Sequence, residues 1–172
     1  LVLEDFGAES LALRPGEALE LDRFFDVALQ ATRALGEIHA HGLIHKDIKP
    51  RNLVLNRQTG VLKIIDFQLA TELTRESQDI EAAGRLEGSL PYISPEQTGR
   101  MNRCLDYRTD YYSLGVTFFE LLSGRLPFEA SDVMGWVHAH LSRPPIDLAT
   151  ISATPPALCA LIRKLMAKSP DA

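Results

Sequence analysis

Four side chains in the middle of the chain have the types and spacing that phosphoryl transfer requires. Asp47, Lys49 and Asn52 lie within residues 45–52, His-Lys-Asp-Ile-Lys-Pro-Arg-Asn, and Asp66 begins the tripeptide Asp-Phe-Gln. The first carboxylate could act as a base, the lysine could neutralise a phosphate, and the amide with the second carboxylate could bind magnesium. The stretch therefore predicts a site for phosphoryl-transfer chemistry.

The elements around these residues must bring them together. Pro50 lies between Asp47 and Asn52, which favours a tight loop over a helix at this point. Residues 53–55 and 61–65 are apolar and flank the turn-forming segment Asn-Arg-Gln-Thr-Gly, so they predict two short strands. Such a hairpin returns Asp66 to the side of Asn52. Their two oxygen donors suit Mg²⁺ that is held together with substrate phosphates.

Most of the remaining chain predicts helices. Over about residues 21–41, apolar positions recur at steps of three and four, and Gly42 ends the pattern. Residues 109–122 are apolar on almost all sides, which predicts a buried central helix. Further helices are predicted over about residues 132–141 and 155–167. The pattern indicates a predominantly α-helical fold with one small β-hairpin.

Bulk composition argues against several classes of protein. The 172 residues suffice for one domain with its own core. The net charge of −5 argues against a nucleic-acid-binding surface. Cys104 and Cys159 are too few and too far apart for a metal site, which indicates free thiols in a reducing cytoplasm. No apolar run reaches the roughly 20 residues that span a bilayer, so we expect a cytoplasmic domain without direct membrane insertion.

The order of motifs resembles the eukaryotic-type protein kinase superfamily. Residues 45–52 and 66–68 resemble its catalytic loop, His-Arg-Asp-Leu-x-x-x-Asn, and its Asp-Phe-Gly motif. Residues 88–96, Gly-Ser-Leu-Pro-Tyr-Ile-Ser-Pro-Glu, resemble the end of the activation segment, and residues 110–116 resemble the start of the buried helix of the large lobe. Residues 94–103 are most similar to a bacterial subgroup. In that subgroup a kinase-like module begins a large sensor protein with ATPase, GAF and histidine kinase modules.

The resemblance implies ATP and Mg²⁺ as cofactors and assigns roles to the candidate residues. Asp47 and Lys49 would be catalytic, while Asn52 and Asp66 would bind the metal. The lysine at position 49 matches the catalytic-loop pattern of serine/threonine kinases more closely than that of tyrosine kinases. Ser89 in the activation segment agrees with the serine/threonine pattern. The implied substrate is therefore a serine or threonine on a protein.

The first residues resemble the hinge between the two kinase lobes. Backbone groups of Glu4 and Phe6 would bind the adenine there, and Val54 is assigned to the same nucleotide site. The hinge would cover about residues 1–9 and the large C-terminal lobe residues 10–172, with the small lobe missing. We therefore expect a partial protein-kinase-like domain of α+β class that is inactive by itself.

Other residues are implied to have structural roles. We expect His45 to pack under Phe67, and Asp110 to accept backbone hydrogen bonds from the catalytic loop; an ordinary helix cap is the alternative for Asp110. Residues 70–87 predict a mobile activation segment. Glu96 would pair with an Arg that the family carries just downstream of this chain.

Two residues depart from the family pattern. Lys46 replaces an Arg that grips a phosphorylated activation loop, and a lysine cannot bind bidentately, which argues against this mode of control. Gln68 replaces the Gly of the Asp-Phe-Gly motif. If this position needs a positive φ, the side chain either costs roughly 1–2 kcal/mol or pushes the motif into another orientation. Magnesium binding could survive this change, whereas turnover would be hindered.

The expected function is ATP-dependent phosphorylation of serine or threonine on proteins by the intact parent, in bacterial signal transduction. The first alternative is a pseudokinase that senses nucleotide or binds a partner, which Gln68 and the missing small lobe favour. The second is a small-molecule phosphotransferase, against which the peptide-seating residues 88–96 argue. With the small lobe missing, we also expect exposed apolar surface near Val54 and Ile65, a Glu96 without its partner charge, and self-association.

Overall fold

The computed structural model describes residues 7–73, 88–101 and 103–169. Within these ranges the chain forms five α-helices and two small antiparallel sheets. The helices are α1 (Leu21–Ala40), α2 (Arg108–Ser123), α3 (Val133–Ser142), α4 (Leu148–Ile151) and α5 (Pro156–Leu165). The strands are β1 (Glu9–Ser10), β2 (Leu43–Ile44), β3 (Leu53–Leu55), β4 (Leu62–Ile64) and β5 (Thr71–Glu72). The predicted class, predominantly helical with a small hairpin, is confirmed.

Helix α1 buries one apolar face and holds the hairpin in place. Its inward positions Phe24, Ala31 and Leu35 are fully buried, as the helical period requires. On its flank, the Gln30 side chain donates to the carbonyl oxygen of Gly60 at 2.9 Å and accepts from the Leu62 amide at 2.9 Å. The helix therefore fixes both the turn and the returning strand of the hairpin.

The hairpin forms as predicted but carries a third strand. Strands β3 and β4 pair antiparallel, and β1 pairs with the other edge of β3, placing Ser10 opposite Val54. Because β1 covers this edge, Val54 is only 9% exposed, and the expectation of exposed surface at Val54 is wrong. Ile65, just beyond β4, is 42% exposed, as expected.

Helix α2 is the central helix of the core. Nearly every residue from Thr109 to Leu122 is buried, which confirms the prediction from its apolar sequence. It approaches α5 so closely that a β-carbon on Gly115 would lie 2.7 Å from the Leu165 β-carbon. The helix ends at Gly124, which has a φ of 69° and donates to the Glu120 carbonyl. The close packing of α2 on α5 therefore requires a residue without a β-carbon at position 115.

The remaining elements follow local capping signals. Asp132 caps α3 by accepting from the Gly135 amide at 2.7 Å, and Pro156 occupies the first turn of α5. Helix α5 ends at Leu165, two residues earlier than predicted. The pairing of β2 with β5 and the one-turn helix α4 were not predicted. None of the described helices is both long and apolar enough to cross a membrane.

Candidate active site

The carboxylate of Asp47 is held by three neighbours. Its Oδ2 accepts from Lys49 Nζ at 2.5 Å and from Asn52 Nδ2 at 3.1 Å, and its Oδ1 accepts from the Ser89 amide at 3.1 Å. Only 8% of Asp47 is exposed. The carboxylate is therefore fixed in one orientation by hydrogen bonds to both of its oxygens.

Lys49 connects the catalytic loop to the segment that contains Ser89. Its Nζ contacts Asp47 and also donates to the Ser89 hydroxyl at 2.7 Å. The two sequence-predicted catalytic residues thus lie side by side, and Ser89 touches both of them. A cation beside a fixed carboxylate is an arrangement that can orient a hydroxyl and neutralise a phosphate.

Asn52 and Asp66 flank this pair at the base of the hairpin. Asn52 directs its amide nitrogen to the backbone and side-chain oxygens of Asp47, which leaves its side-chain carbonyl oxygen for a cation. The Asn52 backbone carbonyl accepts from the Ile65 amide at 2.9 Å, so the exposed Asp66 follows directly beside it. One carboxylate and one amide oxygen fit Mg²⁺ only when phosphate oxygens complete its shell. The described residues contain no group of three or more His, Cys, Asp or Glu that could hold a metal ion.

The left-handed backbone conformation occurs at other residues than the one for which it was considered from the sequence. Among the described non-glycine residues, only Lys46 and Asp66 have a positive φ, 67° and 68°. Gln68 is therefore not in the left-handed region, and the strain assigned to it from the sequence is wrong. Aspartate tolerates this region better than most residues because its short side chain bonds locally. The motif accommodates a glutamine because its left-handed residue is the aspartate.

Lys46 is held in its left-handed conformation from both sides. Its amide donates to Asp110 Oδ1 at 2.8 Å, and its carbonyl oxygen accepts from Gln97 Nε2 at 2.8 Å. Gln97 also accepts from the Ser94 amide, which ties the end of the 88–101 segment to the catalytic loop. Sequence reasoning missed Gln97, although its place directly after the Ser-Pro-Glu motif could have drawn attention to it.

Asp110 organises the catalytic loop from the first turn of α2. The buried carboxylate accepts from the backbone amides of His45 and Lys46, both at 2.8 Å, which confirms the predicted contacts. The alternative of an ordinary cap is not observed, because the cap residue is Tyr107. His39 Nε2 also contacts Asp110 at 2.9 Å and was missed. Its position four residues after the buried Leu35 was the available signal.

His45 is a core residue. It is fully buried, its Nε2 lies 3.1 Å from the Ile65 carbonyl oxygen, and its Nδ1 accepts from the Asp47 amide at 3.3 Å. Its ring meets Phe67 edge-on with centroids 4.8 Å apart, which is the expected contact. Both ring nitrogens are occupied by backbone groups, so His45 positions the loop.

Glu96 is anchored by a hydroxyl. It is 7% exposed and accepts from the Thr109 hydroxyl at 2.7 Å. Within the described part of the chain, no cation lies within ion-pair distance of Glu96. A cavity of about 360 Å³ adjoins it, lined also by Tyr112 and Leu165.

A second hydrogen-bonded pair beneath the site was not predicted. The Tyr92 hydroxyl donates to Glu120 Oε2 at 2.6 Å. Burial and this contact raise the pKa of Tyr92 above its usual value, and burial raises the pKa of the Glu120 carboxyl. The pair fastens the 88–101 segment onto α2.

The residues assigned to nucleotide binding are only partly described. Val54 lies at the centre of β3, on the hairpin that also positions Asn52. Glu4 and Phe6 lie outside the described residues, as does most of the segment 70–87 that was expected to be mobile.

Comparison with protein families matches residues 2–172 to the protein kinase domain. Serine/threonine-protein kinase PksC of Streptomyces coelicolor is 33% identical over 160 residues, which cover 92% of this chain and 28% of that protein. Serine/threonine-protein kinase PknB of Mycolicibacterium smegmatis is 32% identical over 87% of this chain and 24% of its own length. Hybrid signal transduction histidine kinase G of Dictyostelium discoideum is 30% identical over 89% of this chain and 6% of its own length. The chain thus spans about a quarter of the two bacterial relatives.

Proposed function

Because this chain belongs to the protein kinase family, we propose that its intact parent phosphorylates serine or threonine on proteins with ATP. The observation that carries the proposal is the fixed Asp47 carboxylate, with Lys49 and Ser89 in contact with it and with each other. A base held in this way can orient a substrate hydroxyl, while the adjacent ammonium balances charge on the transferred group.

Each candidate residue has one role in the proposed phosphoryl transfer. Asp47 accepts the hydrogen bond of the attacking hydroxyl, and Lys49 contacts the transferred phosphoryl group. Asn52 and Asp66 would hold Mg²⁺, which when bound neutralises charge on the phosphates. Val54 supports the nucleotide. Glu4 and Phe6 are proposed hinge contacts of the adenine.

We place this activity in bacterial signal transduction. Two of the similar proteins are bacterial serine/threonine-protein kinases, and a third is named as a hybrid signal transduction histidine kinase. The third name supports a parent that also carries a histidine kinase module in cis. The further ATPase and GAF modules are proposed from the resemblance of residues 94–103 alone. Use of ATP fits a cytoplasmic location.

We also propose that catalysis belongs to the intact protein and not to these 172 residues alone. Protein kinases position the phosphates with a strand lysine paired to a helix glutamate and a glycine-rich loop. The residues assigned here do not include that set. The 172 residues would then be a hinge followed by a large lobe.

The pseudokinase alternative loses one of its two supports. Gln68 favoured it on grounds of strain, and the backbone at Gln68 is not strained in that way. No described contact favours a small-molecule phosphotransferase. Phosphorylation of proteins is therefore the better-supported proposal.

The test is a phosphoryl-transfer assay on the full-length protein with labelled ATP and a serine- and threonine-rich protein substrate. Lys49→Met should lower the turnover number by about 100-fold or more, because it removes the charge beside Asp47. The exposed Lys164→Met on α5 is the matched control and should retain the wild-type rate. Wild-type protein that binds ATP without transferring phosphate would indicate the pseudokinase instead.

A further inference from the structure

A buried histidine on α3 contacts the active-site segment from below. His140 is fully buried, and its Nε2 lies 2.9 Å from the carbonyl oxygen of Leu90. Its Nδ1 lies 3.0 Å from the Tyr112 hydroxyl of α2. The exposed His138, two residues earlier on the same helix, shows that burial at this position is specific.

The partners of His140 determine which nitrogen carries the proton. A backbone carbonyl only accepts, so Nε2 must donate to Leu90. In the neutral ring Nδ1 then accepts from the Tyr112 hydroxyl, and that hydroxyl accepts in turn from Lys168 Nζ at 3.3 Å. Every donor in this chain of hydrogen bonds has an acceptor, and the direction is the same throughout.

The series of hydrogen bonds that begins at Leu90 ends at the ammonium group of Lys168. Lys168 Nζ donates to the Ala139 carbonyl oxygen at 3.0 Å and lies 4.2 Å from the centroid of the Phe128 ring. The Phe128 ring also packs edge-on against His140 at 5.2 Å. Rotation of the imidazole is therefore opposed by packing as well as by hydrogen bonds.

The contact between His140 and Leu90 bears on the active site because Leu90 directly follows Ser89. Ser89 is bonded covalently to Leu90, donates its amide to Asp47 and accepts from Lys49 through its hydroxyl. A displacement of the Leu90 carbonyl therefore moves a residue whose amide and hydroxyl contact both catalytic candidates.

We propose that His140 is a positioning residue of the active site: as the neutral Nε2–H tautomer, it fixes the Leu90 carbonyl and thereby the contacts of Ser89 with Asp47 and Lys49. The inference rests on the proposed function for its consequence in turnover. Its structural content, the tautomer and the restraint on Leu90, stands independently of that function. A histidine that only fills the core would need no donor aimed at this segment.

The experiment compares two substitutions of similar shape in the full-length protein. His140→Gln keeps an N–H that can reach Leu90, whereas His140→Met removes it. We expect the methionine variant to lose about tenfold or more in kcat with the KM for ATP within about twofold, and the glutamine variant to recover most of the loss. His138→Leu is the control and should match the wild type. Equal kinetics of the methionine variant and the wild type, or equal losses in both His140 variants, would overturn the proposal.

Two measurements separate this inference from the proposed function. Hydrogen–deuterium exchange should be faster over residues 88–93 in His140→Met than in His140→Gln, whether or not the wild type transfers phosphate. Nitrogen NMR of the unmodified protein should show His140 as a neutral Nε2–H tautomer between pH 5.5 and 8, so the test does not depend on any variant folding. Unchanged exchange, or an Nδ1–H tautomer, would refute the role of His140 even in an active kinase. An inactive wild type with the expected exchange and tautomer would refute only the proposed function.

Discussion

Asp66 is the residue at which magnesium binding can be tested most simply. Asp66 is exposed and follows Ile65, whose amide donates to the Asn52 backbone carbonyl. The Asn52 amide nitrogen bonds to Asp47. Asp66→Asn removes the negative charge and keeps the shape, so the Mg²⁺-dependent part of nucleotide affinity in the full-length protein should fall by about tenfold or more. Calorimetry with a non-hydrolysable ATP analogue, with and without Mg²⁺, measures this difference.

Asp22→Asn on the exposed surface of α1 is the control for this measurement, and it should leave both affinities unchanged. If Asp66→Asn keeps the full Mg²⁺-dependent affinity, Asp66 is not a metal ligand.

Gln68 gives a second prediction at the scale of one residue. The left-handed residue of the motif is Asp66, so a glycine at position 68 relieves no strain. Gln68→Gly should instead lower the free energy of unfolding by about 0.4–1 kcal/mol, because it adds conformational freedom to the unfolded chain. Denaturant unfolding measures this change, and a stabilisation by the substitution would restore the strain argument.

His140 predicts a pH dependence of stability. Burial, with the charge of Lys168 as a second cause, lowers the pKa of His140 from its usual 6.5 to about 4. As the pH falls from 6.5 towards 4, the unfolded chain therefore binds a proton that the folded chain does not, and the folded state loses stability. The loss should reach about 1 kcal/mol by pH 5.5 and about 3 kcal/mol in full.

His140→Gln removes this titration, so the difference in unfolding free energy between wild type and variant should narrow as the pH is lowered from 7.5 to 5.5. A difference that stays constant over this range would show that His140 titrates normally.

Part of the candidate site could be predicted from residue types and their spacing, and the rest could be found only from contacts in the structure. Asp47, Lys49 and Asn52 could be identified because a loop brings them together within six positions. The contacts of Gln97 and Glu120 could not be predicted, because their partners, Lys46 and Tyr92, are distant in sequence. The strain at Gln68 was misplaced because φ at one position depends on the turn formed by its neighbours.

At the scale of elements, the close packing of α2 on α5 is the feature most sensitive to a single substitution. A β-carbon on Gly115 would approach the Leu165 β-carbon to 2.7 Å and the Leu165 backbone to 3.3 Å. Gly115→Ala should therefore destabilise the protein by about 1–3 kcal/mol, although alanine has the higher helix propensity.

Gly36→Ala in α1 is the matched control for this prediction. Apart from its own helix backbone and its chain neighbours, no described atom lies within 4 Å of a β-carbon at Gly36. Helix propensity alone should therefore act and stabilise the protein by about 0.5–1 kcal/mol. Thermal unfolding of both variants checks the pair. A stabilising Gly115→Ala would mean that α5 does not pack on α2 as closely as described.

The elements that the sequence predicted are those with a strong period or a clear cap. Helices α1 and α2 were placed to within a residue at each end by apolar spacing and by a following glycine. Strands β1, β2 and β5 have two residues each, too few for any alternation to appear. Their pairing depends on neighbours brought close by the rest of the fold, and β1 is the strand that covers Val54.

For the whole molecule, four parts of the chain come together around the catalytic loop that contains Asp47. The catalytic loop supplies Asp47 and Lys49, and the hairpin places Asp66 beside Asn52. The 88–101 segment adds Ser89, and the first turn of α2 holds the loop from beneath. This convergence explains why ordered motifs could indicate the family before any contact was known. The proposed function depends most on one claim about this site, that the Asp47 carboxylate orients the attacking hydroxyl.

The most direct test of that claim is phosphoryl transfer by the full-length protein with Asp47→Asn, beside Asp22→Asn as the control. Transfer of labelled phosphate from ATP to serine or threonine should occur in the wild type and in the control. In Asp47→Asn it should fall by about 100-fold or more while ATP affinity stays within about twofold, because the substituted group orients the attacking hydroxyl without binding the nucleotide. Transfer at the wild-type rate in Asp47→Asn would refute the proposed role of Asp47.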